Sequence, residues 1–488
     1  MSSLCNRNQA SAACAAMLAA LLGLSACAVG PNYHKPSAPV PQAYKELPKD
    51  APVWTPISPK DSANRGPWWG IYADPELDRL EQQVNISNQN VKQFEAQYRQ
   101  SVGLLDEARA QLFPVLGATA SAQRGGGGGG AASTSSTVGS GAGGRPTNQF
   151  RLEATVSWTP DIWGEVRRQV ESRKAAVQVS QADLANAELS AQATLATDYF
   201  SLRASDSLRV LLAKDVDLDR RALEITQNQL KGGLVTDADV AEAESLLQST
   251  QAQLIAVDQQ RGTFEHAIAV LAGRLPSEIN VSEAPLTDKV PDIPVAVPSS
   301  LLERNPSIAA AERQMQEESA LIGVAVAAYF PTVSLSGLGG YASSQVSRLI
   351  NLGNRLWSIG ANATDTIYDF GNRAGAVAAA RANYDQQVAV YRQTVLTTFQ
   401  SVEDQLLALR VLQSEADYED QAVKSAQKAA DVALNEYNAG TVAYTTVITA
   451  LQTLITAQQT ALTIQQNRLV ASVTLIEALG GGWTTAAL

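Results

Sequence analysis

The chain has 488 residues, a formal net charge of −11, 45% hydrophobic residues and 17% charged residues. This composition is too apolar for an intrinsically disordered chain, and its acidic balance argues against nucleic acid as the main partner, because a phosphate binder needs clustered Lys and Arg. Two histidines and three cysteines leave few ligands for a zinc or iron site, so neither a metal nor a cofactor is expected.

The first 26 residues have the features of a secretory signal peptide: one charged side chain, Arg7, and then the apolar run Ala12–Leu24. The run ends in Leu24-Ser25-Ala26-Cys27, which resembles the lipobox of bacterial lipoproteins, in which the cysteine becomes the acylated first residue. We therefore predict a signal peptide over 1–26 and lipidation at Cys27; the alternative is that Cys27 is only a small residue after a cleavage site. Residue 28 is Ala, not the Asp that usually retains lipoproteins at the inner membrane, and by this resemblance the destination is the outer membrane.

The sequence contains an internal duplication. Adding 207 to residue numbers between 164 and 273 returns the same residue type at many positions, and further upstream the offset is 217. Such self-similarity indicates a duplicated architecture. The matched pairs include Gly164/Gly371, Arg203/Arg410, Gly233/Gly440, Arg261/Arg468, Gly273/Gly480, Asn88/Asn305, Phe113/Phe330 and Pro114/Pro331. We divide the chain into the signal peptide (1–26), an N-terminal segment (27–74), a first repeat (75–273), a proline-rich linker (274–298), a second repeat (299–480) and a C-terminal tail (481–488).

Each repeat is predicted to contain one very long helix. Glu165–Lys231 and Ala376–Ala439 contain neither Gly nor Pro, and helical patterns of this length without stops are typical of coiled coils. Gly233 and Gly440 are placed to end these helices as left-handed C-caps. The chain then reverses into the shorter segments Leu234–Ala272 and Thr441–Leu479. Helices over Asn88–Leu112 and Pro306–Tyr329 are predicted to complete the length by stacking end to end on these shorter segments.

A β-hairpin is predicted between the short and the long helix of each repeat. Residues 149–158 alternate strictly, with Phe150, Leu152 and Val156 on one face and polar residues on the other. Segments around 116–123, 332–336 and 357–364 alternate in the same way. Ten-residue segments with one apolar face match the signature of outer-membrane barrel strands. Four strands cannot close a barrel, so several copies must combine, and the residue pattern leaves two, three or four copies open.

Four short motifs resemble one family. They are Cys27-Ala-Val-Gly-Pro-Asn-Tyr-His-Lys-Pro36, Pro67-Trp68-Trp69 with Asp74-Pro75-Glu76-Leu77, Trp158-Thr-Pro-Asp161-Ile-Trp163-Gly164, and Ala478-Leu479-Gly-Gly-Gly-Trp483. Together with the duplication, the chain resembles the outer-membrane efflux family typified by TolC, in its lipoprotein branch of the OprM and NodT type. The resemblance covers essentially all of residues 27–483.

The resemblance implies a mainly α-helical fold with a β-barrel part. In this family three chains form a twelve-helix α-barrel continuous with a twelve-stranded transmembrane β-barrel, four strands coming from each chain, and the N-terminal segment 27–74 runs along the equatorial region. The implied function is a passive exit duct for drugs or other small molecules. The implied partners are two further copies of the chain, a periplasmic adaptor protein, an inner-membrane resistance-nodulation-division pump and outer-membrane lipid.

The helix tips are the predicted periplasmic gate. In family members a Tyr three residues before the second tip glycine bonds to an Asp of the first hairpin, and here Tyr437 precedes Gly440 while Asp239 follows Gly233. Thr449 stands where many members carry an acid that forms a ring, and Thr445 replaces a bulky apolar residue. Asp237 and Asp239 are alternative sources of negative charge, or they are N-terminal helix caps.

Other functions lack a supporting pattern. The glycine-rich run at 125–130 lacks the ending of a phosphate-binding loop and is predicted to be a flexible extracellular loop. His34 and His266 have no ligand spacing, and no catalytic motif of a hydrolase or metalloprotease occurs. We therefore predict no enzyme activity. A lipid-anchored periplasmic coiled-coil protein without a pore remains the alternative.

Overall fold

The structure, a computed structural model, describes residues 28–37, 41, 44–46, 67–126, 146–291, 293 and 304–481. The predicted signal peptide, Cys27, most of the glycine-rich loop and residues 482–488 lie outside the described residues. Two compact units share the chain. The sheet unit contains Gln100–Val177 and Gln314–Val388 with the N-terminal residues up to Lys35, and the helical unit contains Pro36–Arg99, Gln178–Arg313 and Ala389–Leu488. Each unit therefore draws on both repeats.

Helices dominate the described residues. They are α1 (Pro75–Ser87), α2 (Gln89–Ala110), α3 (Glu165–Lys231), α4 (Asp237–Leu271), α5 (Pro306–Ala327), α6 (Asn372–Asn438) and α7 (Tyr444–Ala478). The predicted helix over Glu165–Lys231 is confirmed, with 67 residues. In the part of the chain that the structure describes, none of the helices combines the length and the apolar character needed to span a membrane.

Two helix starts differ from the sequence prediction, and capping explains both. α6 begins at Asn372 instead of Ala376, because the Asp369 carboxylate accepts hydrogen bonds from the backbone N–H groups of Gly371 and Arg373. α1 was not expected as a separate helix. It begins because Asp74 accepts from the backbone N–H groups of its first turn and Pro75 occupies the first helical position.

The predicted end-to-end stacking of short helices is confirmed in the helical unit, where an asparagine makes each joint. Asn88 caps α2 through the backbone N–H groups of its first turn, and its side-chain amide donates to the carbonyl oxygen of Leu271 at the end of α4 (2.8 Å). Its repeat equivalent, Asn305, caps α5 and donates to the carbonyl oxygen of Ala478 at the end of α7 (3.0 Å). One side chain thus satisfies orphan groups at two helix ends.

A four-stranded antiparallel sheet forms the sheet unit's β part. Its strands are β1 (Val115–Gly125), β2 (Thr147–Trp158), β3 (Thr332–Ser343) and β4 (Arg355–Thr364), in the order β1-β2-β3-β4. Both predicted hairpins are confirmed, and β2 also pairs with β3, which joins the two repeats into one sheet.

The largest apolar core lies in the helical unit. Trp68, Leu77, Tyr199 and Ile268 are almost fully buried there, and the Trp68 indole N–H donates to Gln192 (3.1 Å). The first part of the linker packs into the same core: Val281 is buried, and its carbonyl oxygen accepts from Arg261 (2.6 Å). The core therefore fixes the linker up to this point against α4.

Candidate functional site

One face of the sheet is mainly apolar across all four strands, and its two arginines, Arg124 and Arg355, lie near strand ends. The register places Leu116 opposite Val156, Val156 opposite Gly337, and Gly337 opposite Ile359, so these positions lie in one row. Neighbouring rows contain Ala118, Ala120, Leu152, Ala154, Tyr341, Trp357 and Ala361. The side chains of this face are exposed in a single chain, by 76% at Leu116 and 83% at Ile359. A contiguous exposed apolar surface needs an apolar environment.

The opposite face of the sheet carries most of its polar side chains. Arg151 and Glu153 form an ion pair there (3.2 Å), and Thr155, Ser336 and Asn362 lie on the same side. A sheet that is apolar on one face and polar on the other separates lipid from water, as strands of outer-membrane channels do.

The sheet has two open edges. Within the described residues, β1 pairs only with β2 and β4 pairs only with β3. Open edges expose rows of backbone donors and acceptors, which are too costly to leave unpaired in lipid. Since β1 and β4 run in opposite directions, β4 of one copy can pair antiparallel with β1 of another copy.

The residues directly after Cys27 are held where β2 joins α3. We call residues 28–32 with Gly164, Arg168 and Gly323 the N-terminal seat. Val29 donates its backbone N–H to the carbonyl oxygen of Trp163 (3.0 Å). The buried guanidinium of Arg168 donates to the carbonyl oxygens of Val29 and Gly30 and to the Asn32 side chain (2.9–3.3 Å).

Glycines make the N-terminal seat possible. A Cβ on Gly164 would lie 2.7 Å from the Cα of Ala28, and a Cβ on Gly30 would lie 2.5 Å from the Cα of Gly323. A Cβ on Gly323 would in turn lie 2.8 Å from Arg168. The backbones approach too closely for any side chain, so the chain that leads out of Cys27 is fixed beside the sheet.

Aromatic side chains gather at the same strand-to-helix junction. Trp163 stacks on Phe330 at 4.8 Å with an interplanar angle of 23°, and its indole N–H donates to the carbonyl oxygen of Pro331 (2.8 Å). The indole N–H of Trp158 donates to the carbonyl oxygen of Leu112 (3.0 Å). Aromatic rings with one polar end are enriched at the membrane–water boundary, which indicates that this end of the strands lies near that boundary.

The two helix tips have the same backbone motif. Gly233 (φ +71°) donates to the carbonyl oxygen of Leu230, and Leu234 donates to that of Gln229. Gly440 (φ +75°) donates to the carbonyl oxygen of Tyr437, and the residue after it donates to that of Glu436. This is the Schellman arrangement, which needs a left-handed residue and therefore favours glycine.

Tyr437 has a different partner from the predicted one. Its hydroxyl donates to the Gln229 side chain of α3, whereas the predicted bond to Asp239 is not formed within this chain. Tyr437 is buried in a tip cluster with Tyr444, Val447 and Ile448, and the two tyrosine rings lie 5.2 Å apart. Burial raises the pKa of the Tyr437 hydroxyl, so it stays a donor at neutral pH.

Asp239 is engaged in capping its own helix. Its carboxylate accepts from the backbone N–H (2.7 Å) and the hydroxyl (2.8 Å) of Thr236, which is the N-cap of α4. These bonds hold the pKa of Asp239 below its usual range. Asp237 lies exposed in the same first turn. The capping interpretation of Asp239 thus has direct geometric support.

Thr445 and Thr449 lie together on an exposed face of α7. The Thr449 hydroxyl donates to the carbonyl oxygen of Thr445 (2.9 Å), and Thr453 repeats the pattern one turn further on. With Ala426 and Ala429 of α6 they line a shallow groove of about 470 Å³. Tyr444–Asn467 contains no charged residue, so this face offers hydroxyl, amide and methyl groups only.

Sequence reasoning missed a buried acidic pair beside the first tip. Asp215 and Asp219 of α3 are only 4% and 2% exposed, and Asp219 accepts a hydrogen bond from Thr250 of α4 (2.8 Å). Burial, and next the neighbouring Asp219, raises the pKa of Asp215 to about 6. The signal was present in the sequence, because both acids interrupt the apolar seam Leu212, Val216 and Ala222.

Comparisons with known proteins agree with these surfaces. The family model described as outer membrane efflux protein matches residues 80–274 and 297–481. The chain is 28% identical to the pyoverdine export outer membrane protein OpmQ of Pseudomonas aeruginosa over 424 residues, which cover 87% of this chain and 89% of that protein. It is 26% identical to the antibiotic efflux pump outer membrane protein ArpC of Pseudomonas putida, covering 94% of this chain and 93% of the relative.

A solved structure shows the same fold. The outer-membrane channel OprN superimposes with a TM-score of 0.83 at 26% identity, over 94% of this chain and 100% of OprN. The similarity therefore includes the helices and the sheet alike.

Proposed function

The chain belongs to the outer membrane efflux protein family, and on that premise we propose that three copies form a duct fed by an inner-membrane pump through a periplasmic adaptor. An outer-membrane efflux channel that extends into the periplasm is established by the family match and the relatives. We add to it the number of copies, the lipid anchor, the partners and the gate. The main support for assembly in the membrane is the sheet, which has one exposed apolar face and two open edges.

Closure of the sheet edges supports the assembly of three copies. Each chain contributes four strands and presents one β1 edge and one β4 edge, so identical head-to-tail contacts generate a ring. Three chains place about twelve strands in the ring, which is wider than the barrels of about eight strands whose interiors side chains fill. Native mass spectrometry of the detergent-solubilised protein tests the number: a mass of two or four chains would overturn the trimer.

The N-terminal seat supports a lipid anchor at Cys27. Arg168 fixes residues 29–32 beside the aromatic junction, so acyl chains on the preceding residue would enter lipid at the boundary that these rings mark. Two hydrophobic attachments, the acyl chains and the sheet, then hold each chain. Mass spectrometry of the mature N-terminus is the test, and an unmodified first residue other than Cys27 would exclude the anchor.

The neutral face of α7 supports a duct that does not choose its cargo. The wall from Thr445 to Thr463 offers hydroxyls that are bonded to their own backbone carbonyls and has no fixed charge to select ions. The relatives bear names as different as pyoverdine export and antibiotic efflux. We propose that selection takes place in a resistance-nodulation-division pump, and that deleting that pump or this duct sensitises cells to the same compounds. Different sensitivity spectra would contradict a shared pathway.

The tip cluster is proposed as the periplasmic gate. Tyr437 of α6 bonds Gln229 of α3, so it ties the second hairpin to the first. Tyr437→Phe keeps the ring and removes only the donor, and we expect single-channel conductance in planar bilayers to rise. Tyr418→Phe is the matched control, because Tyr418 lies on the same helix and is 75% exposed. Equal conductance in the two variants would leave closure to packing alone.

Cation block is the second property of the proposed gate. With Thr449 in place of an acid, no ring of carboxylates forms at that level, and we expect divalent cations to block the pore poorly. T449D places one carboxylate per chain on the exposed face and should introduce block at low cation concentration. Strong block of the unmodified channel would instead assign the cation site to Asp237 or Asp239.

A further inference from the structure

The internal duplication allows strand pairing within the sheet to be compared with pairing at its two open edges, β1 and β4. Adding 217 to β1 numbers and 207 to β2 numbers reproduces the second hairpin: Leu116↔Val156 becomes Val333↔Ala363, and Val115↔Ser157 becomes Thr332↔Thr364. The two offsets therefore describe strand register, not only residue type. They can be applied to the third interface of the sheet, between β2 and β3.

The β2–β3 interface has no second example within one chain. Under the same offsets β2 corresponds to β4, and β3 corresponds to β1, and these are the two open edges. The pattern of apolar positions survives the mapping, since Leu152, Ala154 and Val156 of β2 correspond to Ile359, Ala361 and Ala363 of β4. A contact of the β2–β3 kind can therefore form only between β4 of one copy and β1 of another.

Exposed aromatic rings mark the same missing contact. Trp163 and Phe330, which stack at 4.8 Å beside the β2–β3 interface, correspond to Phe370 and Phe113. Phe370 is 89% exposed and Phe113 is 66% exposed, whereas their equivalents are half-buried. Phe370 contacts the edge of Tyr368 in its own chain (4.6 Å) and leaves most of its surface open.

We propose that neighbouring copies meet in one defined register, with Phe370 of one chain packed on Phe113 of the partner subunit. The β2–β3 pairs Val156↔Gly337 and Ala154↔Gly339 then predict that Ala363 lies opposite Ala120 of the partner subunit and Ala361 opposite Ala122 of the partner subunit. These two central pairs are apolar on both sides, whereas the same mapping places Ile359 opposite Arg124 of the partner subunit and Asp365 opposite Ala118 of the partner subunit. The exposed apolar face therefore continues across the central part of the subunit boundary. The inference rests on the proposed assembly of several copies and specifies the contact that holds it together.

A register shift is the main competitor. A slip by one residue would turn the apolar face to the polar side and is excluded by the period of two. A slip by two residues keeps the faces matched but moves the aromatic rings apart by about 7 Å along the strand. The Phe370–Phe113 contact favours the proposed register over the one shifted by two residues, because the two rings can meet only in the proposed register.

Disulfide formation in the assembled membrane protein tests the register. Directly opposed residues of an antiparallel pair lie about 4.5–5.5 Å apart at Cα, within the range of a disulfide. We compare A361C combined with A122C against two pairs shifted by two residues, A361C with A120C and A361C with R124C. All three pairs lie on the same face, and each single-cysteine variant controls for Cys27.

Copper-phenanthroline oxidation should link the proposed pair at least about ten times as fast as either shifted pair, because the shifted Cβ atoms start about 2–3 Å further apart. Faster linking of a shifted pair, or no linking of a protein whose native mass is that of a trimer, would overturn the register and leave the proposed assembly standing. A monomeric native mass would overturn both.

The aromatic contact has its own test. F370A and F113A should each lower the temperature at which the assembly dissociates on gels, and the double variant should lower it no further than the stronger single variant, since both remove one contact. V346A, at the other end of the sheet and 63% exposed, is the control. Additive effects of the two phenylalanine substitutions would show that the rings do not meet.

Discussion

At the first sheet-to-helix junction, Gly164 (φ +87°) lies against Ala28, and the N-terminal seat fills the space between α3 and α5. At the second junction, a Cβ added to the repeat equivalent Gly371 (φ +90°) would meet no atom of the described residues within 4 Å, and Gly375 replaces Arg168. The two glycines share a backbone conformation because both repeats must turn from a strand into a helix at this point. The surroundings differ because only the first turn has residues 28–32 packed on it, so a duplicated turn has gained the second role of holding the N-terminal segment.

The two helical hairpins also share a backbone arrangement but differ in the side chains packed inside them. Asp215, Asp219 and Thr250 of the first hairpin correspond to Ala422, Ala426 and Ala457 of the second. A buried carboxylate–hydroxyl contact in one repeat is therefore matched by methyl groups in the other. Helix length and tip geometry are unchanged, since they depend on local backbone bonds, whereas the interior of the hairpin is free to be polar or apolar.

The largest expected effect on stability comes from a substitution at the first junction. Arg168→Ala removes a buried guanidinium that bonds two carbonyl oxygens and Asn32, and we expect a loss of about 2–4 kcal/mol in unfolding free energy. Gly375→Ala changes the equivalent position in open space and should stabilise its helix by roughly 0.5–1 kcal/mol. Thermal unfolding in detergent measures both, and equal shifts would show that residues 28–32 are not held by Arg168.

The second effect on stability comes from removing the polar contact inside the first helical hairpin. Thr250→Ala leaves the Asp219 carboxylate buried without its donor, at a cost of about 2 kcal/mol. Adding Asp219→Ala reproduces the composition of the second hairpin and should recover part of that loss. A double variant that is as unstable as the sum of the two single ones would mean that the side chains act independently.

The third effect is pH-dependent. The folded pKa of Asp215, about 6, lies above that of an unfolded aspartate. The buried charge therefore lowers stability as pH rises through 6, and the penalty disappears below about pH 4, where both states bind the proton. Asp215→Asn should stabilise by about 1–2 kcal/mol at pH 8 and change little at pH 4. The same gain at both pH values would rule out titration of Asp215 as its origin.

The smallest effect compares the two helix starts beyond the tips. Asp239 has a lowered pKa because it accepts from Thr236, so its contribution is present at neutral pH and fades as pH falls through its folded pKa. α7 begins at Tyr444, and its N-cap residue, Ala443, makes no side-chain cap hydrogen bond. Amide hydrogen exchange, corrected for the intrinsic rate, should lose protection in the first turn of α4 on acidification and stay constant in α7. A parallel loss at both starts would point to a change other than the Asp239 cap.

Much of the fold could be predicted because its rules are local. The helix over Glu165–Lys231 follows from the absence of Gly and Pro, the tips follow from Gly233 and Gly440, and the strand faces follow from alternation in 149–158. Helix α1 was missed because its signal, Asp74 before Pro75, is a short capping pattern without a long periodic stretch.

The candidate site could be predicted only in part. The helix tips were located correctly, but within this chain the Tyr437 hydroxyl bonds Gln229, the acceptor that the tertiary packing brings near, and not the expected Asp239. Nothing in the local sequence distinguishes these two acceptors. The choice depends on how α6 rotates against α3.

By itself the sequence determined the repeat, the helix lengths, the tips and the two faces of the sheet, since hydrogen bonds within a helix and alternation along a strand act over a few residues. Only the tertiary structure decided that Arg168 encloses residues 29–32, that β2 pairs with β3, and that Asp215 and Asp219 are buried. The first two contacts join residues more than 130 positions apart, and the burial depends on the facing helix, so their energies depend on packing that no local pattern encodes.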